Sequence, residues 1–391
     1  MRFLSSGESH GKAVSAIIDG LPSGMIIDFD FINKELERRQ KGFGRGKRMG
    51  IEKDKIEILS GIRFGRTLGT PVSFLIRNND WENWKEKLSI EPLQEGYVST
   101  DAKILNPRPG HADLPGYIKY RFDDVRDVIE RSSARETAAR VAVGGFAKIF
   151  LKAFNIDVYS IVNKIGKIGI ELKNIQNLLN EDLFLSAENS DVRCPDPHIS
   201  NKMKEEIDNA AREGNTVGGS FILYAKGLFP GLGSYIQWDK RLDAKISHAV
   251  MSIPAIKAVE IGQGINSSNS SGSDFHDEIF YSRKKGFYRN TNNAGGIEGG
   301  ITNGEDVIIT AYMKPIPTTF SGLKTVNIKT KDPEKSLKER SDVCAVPSAS
   351  VVGEAMLAIT LADEIQKKFG EDNISEILEN YNNFRNYIKN I

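Results

Sequence analysis

One stretch constrains this chain more than any other: an apolar run from Ala345 to Ala362, broken only by Glu354 and followed at once by Asp363 and Glu364. A membrane span needs ~20 nearly uncharged residues, so the run reads as a helix buried in a protein core. Such a helix needs apolar material around it. The chain supplies it, with 391 residues of which 39% are hydrophobic. At about 150 residues per domain the length alone allows two or three domains. No clear linker divides the chain, so a single large domain over residues 1–391 is expected.

Other segments carry recognisable periods. Phe31–Gln40 has amphipathic helix spacing, and Arg241–Met251 and Ser350–Lys368 read as helices. Ser133-Ala134-Arg135-Glu136 has the spacing of a capping box. The stretch after it, to Phe154, is apolar on most faces and predicts a second buried helix. Lys55–Leu59, Pro71–Ile76, Asp157–Val162, Ser220–Ala225, Ala258–Ile261 and Val307–Tyr312 read as strands. These do not alternate regularly with helices, so the pattern points to a layered α+β fold, not a doubly wound parallel sheet. Segments 163–215 and 265–290 are more polar and read as surface excursions.

Charge and cysteine content narrow the chemistry. Lys+Arg number 53 against 52 Asp+Glu, a net charge of +1, which argues against a uniformly basic nucleic-acid binder. Cys194 and Cys344 are too few for a disulfide framework or a four-sulfur zinc site, which fits a reducing cytoplasm. The first twenty residues carry Arg2, Glu8 and Lys12 and hold no apolar signal core. No His/Asp/Glu cluster has metal-ligand spacing, so no metal is expected.

Within that balance, polar chemistry is concentrated. Gly7-Glu8-Ser9-His10-Gly11 and Arg108-Pro109-Gly110-His111-Ala112-Asp113 set two histidines beside glycines, where backbone and ligand can approach closely. The loop from Arg38 to Arg48 holds six positive charges and no acid, the makings of an anion clamp. Arg131-Ser132-Ser133 and Arg340-Ser341-Asp342 precede helices in similar ways, as phosphate-binding helix starts do. The chain's 36 glycines gather at Val217–Ser220, Gly227–Gly233 and Asn292–Gly300, yet neither a dinucleotide nor a P-loop fingerprint occurs. Lys314–Thr319 is a stiff polar turn after a strand and a candidate cofactor edge. Together these suit a polyanionic small substrate, proton-coupled chemistry and a flat cofactor. An RNA contact through the basic loop, or a flavin or nicotinamide reductase, stays open at this level.

Five motifs in order then become specific. Gly7–Gly11, Arg108–Asp113, Arg131–Ala138, Asn293–Gly296 and Arg340–Pro347 together resemble the chorismate synthase family across nearly the whole chain. The resemblance implies a phosphate-eliminating lyase acting on 5-enolpyruvylshikimate 3-phosphate, the last step of the shikimate pathway. It also implies helices layered between antiparallel sheets, reduced FMN as cofactor with NADPH as a candidate reductant, and a cytoplasmic homotetramer.

Residue by residue, the resemblance makes His10 the proton donor to the departing phosphate, His111 the support of the reduced flavin, and Asp342 the acid on the flavin side. Ser9, Arg39, Arg48, Arg108, Arg135, Glu136 and Arg340 fall to the substrate. Arg39, Arg45, Arg131, Ser132, Ser133, Pro254, Ala255, Gly299, Lys314, Pro315, Ile316, Pro317, Thr318 and Arg340 fall to the cofactors. Ser348 departs from the alanine the family often has there.

Overall fold

The computed structural model describes residues 1–45, 53–92, 103–170, 181–337 and 341–391. The chain opens on an antiparallel hairpin, β1 (Arg2–Ser6) and β2 (Ala13–Asp19), whose Val14, Ala16 and Ile18 turn inward at every second residue. α1 (Phe29–Gln40) follows. Asp28 caps it by accepting the Phe31 amide at 2.9 Å, and Arg38 and Arg39 complement the dipole at its end. β3 (Glu57–Ser60) and β4 (Val72–Arg77) complete a four-stranded antiparallel sheet in the order β1-β2-β4-β3.

Two short helices, α2 (Asp113–Tyr120) and α3 (Arg126–Ser132), lead into α4 (Thr137–Lys152). A five-stranded antiparallel sheet then forms from β5 (Asp157–Ile165), β6 (Ile168–Gly169), β7 (Gly219–Lys226), β8 (Ile256–Ile261) and β9 (Val307–Met313). Its order is β8-β9-β7-β5-β6. α5 (Glu181–Glu188) and α6 (Pro197–Arg212) lie between β6 and β7, α7 (Leu242–Met251) between β7 and β8, and α8 (Val346–Phe369) and α9 (Ile374–Lys389) close the chain. The content is mixed helix and antiparallel sheet, as the pattern of elements predicts.

The two apolar segments meet. α4 packs on the four-stranded sheet, α8 on β5 and β7, and the two helices against each other. Their crossing is tight because a Cβ placed on Gly144 would stand 2.2 Å from the Ala355 Cβ. α8 is long and apolar enough to cross a membrane, yet it is buried inside the fold, with Leu357, Ala358, Leu361 and Ala362 fully enclosed. It starts at Val346 with Pro347 in its first turn and stops at Gly370, whose φ is +112°.

Two expectations need correction. Segment 163–215 is not simply a surface excursion: α5 buries Phe184 and Ala187 against the outer face of the five-stranded sheet, and α6 buries Met203 and Ile207. Polar composition hid their narrow apolar stripes. The capping box is half formed. The Ser133 hydroxyl accepts the Arg135 amide at 3.3 Å, but Glu136 pairs with Arg140 at 2.9 Å instead of reaching back, because Ala134–Glu136 is a 3-10 turn ahead of α4.

Candidate active site

The end of α1 places the first group. Its buried stripe is Ile32, Glu35, Leu36 and Arg39, the spacing of one helical face. Arg39 Nη2 reaches Asp54 Oδ2 at 2.7 Å, and Arg135 Nη1 reaches Asp54 Oδ1 at 2.6 Å. Arg135 Nε also donates to Asn78 Oδ1 at 2.7 Å. All four residues are buried, so two arginines share one carboxylate out of contact with bulk water. Burial alone would raise the Asp54 pKa, but Arg39 and Arg135 outweigh it and hold the carboxyl below its usual range. Burial pulls Arg39 the other way; Asp54 counters it, but the repulsion of Arg135 and Arg45 leaves its pKa lowered. Its Nε, also buried, has no hydrogen-bond partner among the described residues. A buried cation short of negative charge is a place for an anion.

Alongside, Arg45 Nη1 lies 3.0 Å from Asp342 Oδ2, and the Val343 amide donates to the Gly44 carbonyl at 2.8 Å. The start of the basic loop is thereby stitched to the segment that enters α8.

The second group hangs on the hairpin turn between β1 and β2. Gly7 has a φ of +107°, and a Cβ there would stand 2.3 Å from the Ala13 carbonyl oxygen, so the turn requires glycine. The turn delivers His10 to α3. Glu130 accepts the His10 amide at 2.9 Å, and its carboxylate oxygens lie 3.0 and 3.1 Å from His10 Nδ1. The imidazole stacks on Trp84, with ring centroids 3.9 Å apart. Burial pushes the Glu130 carboxyl up, but its contacts with His10 and nearby Arg126 hold it below the usual carboxylate range. The Ser133 hydroxyl donates to Ser9 Oγ at 3.0 Å and accepts the Arg135 amide, so the histidine and arginine groups join.

A third group forms around Asp113, the buried first residue of α2. It takes His111 Nδ1 at 2.6 Å, Arg108 Nε at 2.8 Å and the Arg108 amide at 2.9 Å. Arg108 Nη1 continues to Thr318 Oγ1 at 3.1 Å, and Lys314 Nζ donates to the Gly110 carbonyl. Burial would raise the Asp113 pKa; the His111 and Arg108 hydrogen bonds drive it far below the carboxylate range.

A cleft of about 450 Å³ is lined by residues that include Phe3, Arg131, Ser132, Glu136, Pro254 and Met356. The Lys314 amide donates to the Ala255 carbonyl at 3.0 Å, which ties one wall of this cleft to the third group.

The profile of the family described as Chorismate synthase matches residues 1–366. The chain belongs to the chorismate synthase family. A chorismate synthase of Sulfurihydrogenibium sp. (strain YO3AOP1) is 54% identical over 392 residues, covering 100% of both chains. That of Aquifex aeolicus (strain VF5) is 50% identical over 394 residues, covering 100% of this chain and 98% of the other. A crystal structure of chorismate synthase superposes with a TM-score of 0.80 at 42% identity, covering 100% of this chain and 98% of that one.

The chorismate synthase motifs thus fall into three hydrogen-bonded groups. Ser9, His10, Ser133, Arg135 and Arg39 form one connected set; Arg45 and Asp342 pair beside it; and His111, Arg108, Lys314 and Thr318 form another. His10 and His111 each head their own cluster. Arg131, Ser132, Glu136 and Pro254 line the cleft, and Ala255 adjoins Lys314. Of the intervening turn, the Ile316 carbonyl accepts Thr216 Oγ1 at 2.6 Å, and Pro317 faces Gly110. Gly299 turns a tight hairpin with a φ of +59°, and a Cβ there would meet nothing within 4 Å. Arg48 and Arg340 lie outside the described residues.

The basic loop needs correction. Arg38 is no part of a clamp: it turns into the core toward Glu35 at 2.7 Å and Glu354 at 2.8 Å. Lys41 pairs with Glu37 at 2.9 Å. Sequence reading also missed the partners that hold the site, namely Asp54, Asn78, Trp84, Asp113 and Glu130. Asp113 ends the Arg108 motif and Glu130 directly precedes Arg131, so those two carried a signal. Asp54 and Trp84 carried none.

Proposed function

We propose that this chain converts 5-enolpyruvylshikimate 3-phosphate to chorismate and phosphate, as a carbon–oxygen lyase of aromatic amino-acid biosynthesis. One observation carries the reading beyond family membership. Arg39 and Arg135 share a single buried carboxylate, and Arg39 Nε is left without a partner among the described residues. That is a buried cluster short of negative charge among the described residues, and this substrate brings a phosphate and two carboxylates. Ser9 and Ser133 connect the cluster to His10.

The chemistry follows from that placement. As the carbon–oxygen bond breaks, charge grows on the departing phosphate. Arginines already fixed in place stabilise it without reorganising. His10 Nε2 gives the leaving phosphate a proton, a contribution typically worth ~10²–10⁴ in rate. Asp342, held by Arg45, is assigned to the flavin side, where it would help the reduced cofactor take the ring proton, and His111, held by Asp113, to the support of the reduced flavin. Ser9, Arg39, Arg48, Arg108, Arg135, Glu136 and Arg340 are assigned to the substrate.

The residues present fit reduced FMN. The cleft sets the apolar surfaces of Phe3, Pro254 and Met356 beside Arg131, Arg140 and the Ser132 hydroxyl, which suits a flat ring with an anionic tail. Arg131, Ser132, Ser133, Pro254, Ala255, Gly299, Lys314, Pro315, Ile316, Pro317, Thr318 and Arg340 would hold it. When bound, it supplies electron density that side chains lack and takes it back, leaving no net redox change. NADPH is the proposed reductant, with Arg39 and Arg45 as its contacts. We further read the chain as one domain over 1–391 in which α4 and α8 form a middle layer between the two sheets. A continuous main core from Val14 to Tyr381 supports this. A cytoplasmic homotetramer completes the proposal.

The test is an anaerobic mixture of protein, dithionite-reduced FMN and substrate. Chorismate and phosphate should appear in equal amounts, and H10A and D342A should each lose most turnover. Folded protein that makes no product overturns the reading.

A further inference from the structure

Glu130 and Trp84 belong to no motif and have no assigned role, yet they enclose His10 on two sides. We propose that Glu130 is a positioning residue for the proton donor: it fixes the His10 ring so that Nε2, not Nδ1, delivers the proton, with Trp84 as the backstop. This rests on the reading of His10 given above.

The geometry is specific. A single carboxylate, with its side chain 2% exposed, holds both the backbone amide of His10 at 2.9 Å and its Nδ1 at 3.0 Å. Anchoring the amide and the ring of one residue to one group leaves the side chain little torsional freedom. Nδ1 faces Glu130, so Nε2 points across the ring to the opposite side. Trp84 blocks one face, stacked within 23° of parallel, and is itself fixed because its indole N–H donates to Asp80 Oδ2 at 3.0 Å. Among the described residues, the charged groups around this pair include Arg126, 3.4 Å from Glu130 and over the Trp84 ring at 5.3 Å, and Lys87, over the same ring at 5.5 Å. Lys12 lies over neighbouring Trp81 at 5.9 Å.

A carboxylate on one ring nitrogen selects the tautomer, because only a protonated Nδ1 satisfies it. That matters for a donor that must give its proton from Nε2. The same division of labour orients the histidine of serine-protease triads, where the carboxylate stays ionised throughout.

Glu130→Gln separates positioning from mere structure. It keeps the shape but removes the charge, and its amide can donate to Nδ1 and so select the wrong tautomer. Expected results are a kcat at least tenfold lower with KM within about threefold, less than the ~10²–10⁴ loss of the acid itself. On a His10→Ala background the same change should cost nothing further. Glu130→Asp, which keeps the charge, should recover part of the loss, and it replaces Glu130→Gln if that variant does not fold.

A second readout needs no cofactor or turnover. Imidazole ¹⁵N shifts of His10 in the ligand-free protein should show Nδ1 protonated throughout the titration in wild type and not in Glu130→Gln. If His10→Ala is inactive but Glu130→Gln keeps the wild-type kcat and ¹⁵N shifts, this inference alone fails. Equal losses on wild-type and His10→Ala backgrounds also overturn it. If His10→Ala keeps normal turnover, the reading of His10 falls first.

Discussion

Arg38 and Arg39 are neighbours on one helix and live in opposite electrostatic worlds. Arg38 enters a largely buried network with Lys148 and Arg193, and these cations face Glu35, Glu354 and the more exposed Glu188, so the charges balance. Ser160 adds a hydrogen bond to Glu354 at 2.6 Å. Burial pulls the Arg38 pKa down, but Glu354 and Glu35 more than offset it and hold it above its ordinary value. Among the described residues, the one carboxylate that Arg39 meets is Asp54, which it shares with Arg135, and its pKa is lowered. The same residue type at adjacent positions is satisfied in one place and left wanting in the other. Balance marks the part of the core that holds α1, α4 and α8 together; imbalance marks the part proposed to take the substrate's anions.

Breaking the balanced side should have the largest effect on stability. E354Q removes the carboxylate that Arg38, Lys148 and Arg193 share, leaves three cations to Glu35 and Glu188, and should cost about 3–5 kcal/mol in chemical denaturation. It should also change the acid response. Burial would raise Glu354 above its ordinary 4.5, but Arg38, Lys148 and Arg193 drive it well below. The unfolded chain therefore binds the proton more readily, and this contribution is present above pH 4.5 and lost as the pH falls below it. The stability gap between wild type and E354Q should narrow on acidification. A gap that is constant from pH 7 to 3 would refute the network's charge balance.

The unbalanced side should respond to anions instead. D54N leaves Arg39 and Arg135 with no shared carboxylate and should lower Tm. Added inorganic phosphate should then restore more stability to D54N than to wild type, reaching about 2.7 kcal/mol at a hundredfold excess over Kd. E354Q should gain no more from phosphate than wild type does. Equal phosphate stabilisation of D54N, E354Q and wild type would erase the distinction between the two regions.

The smallest change tests where the regions touch. The Ser348 hydroxyl donates to the Arg39 carbonyl at 2.8 Å. S348A should cost about 1 kcal/mol and leave turnover within twofold. A tenfold loss of turnover would make this hydrogen bond part of the site.

How much of this could be read beforehand follows from the range of each signal. α4 and α8 were legible because their apolar residues are local and continuous, and β5, β7 and β9 because β-branched and aromatic residues run together. His10, Arg135 and Asp342 stand out through ordered motifs, and Arg39 through the basic run from Arg38 to Arg48. The split between Arg38 and Arg39 was not. It depends on Glu354 and Asp54, which lie 316 and 15 residues away and pair only once helices and sheets have docked. Asp54 and Trp84 sit in no motif at all. Glu136 was placed in a capping box by its spacing, yet Arg140, one turn ahead, claimed it.

The most direct measurement is the dissociation constant of 5-enolpyruvylshikimate 3-phosphate, by titration calorimetry, for wild type, R39Q and R38Q. If the charge deficit around Arg39 is the substrate's anion site, R39Q should bind about tenfold to a hundredfold more weakly, with a flatter dependence on ionic strength. Folded R38Q should bind as wild type does, despite its lower stability. Unchanged affinity in R39Q, or the larger loss in R38Q, would contradict the account.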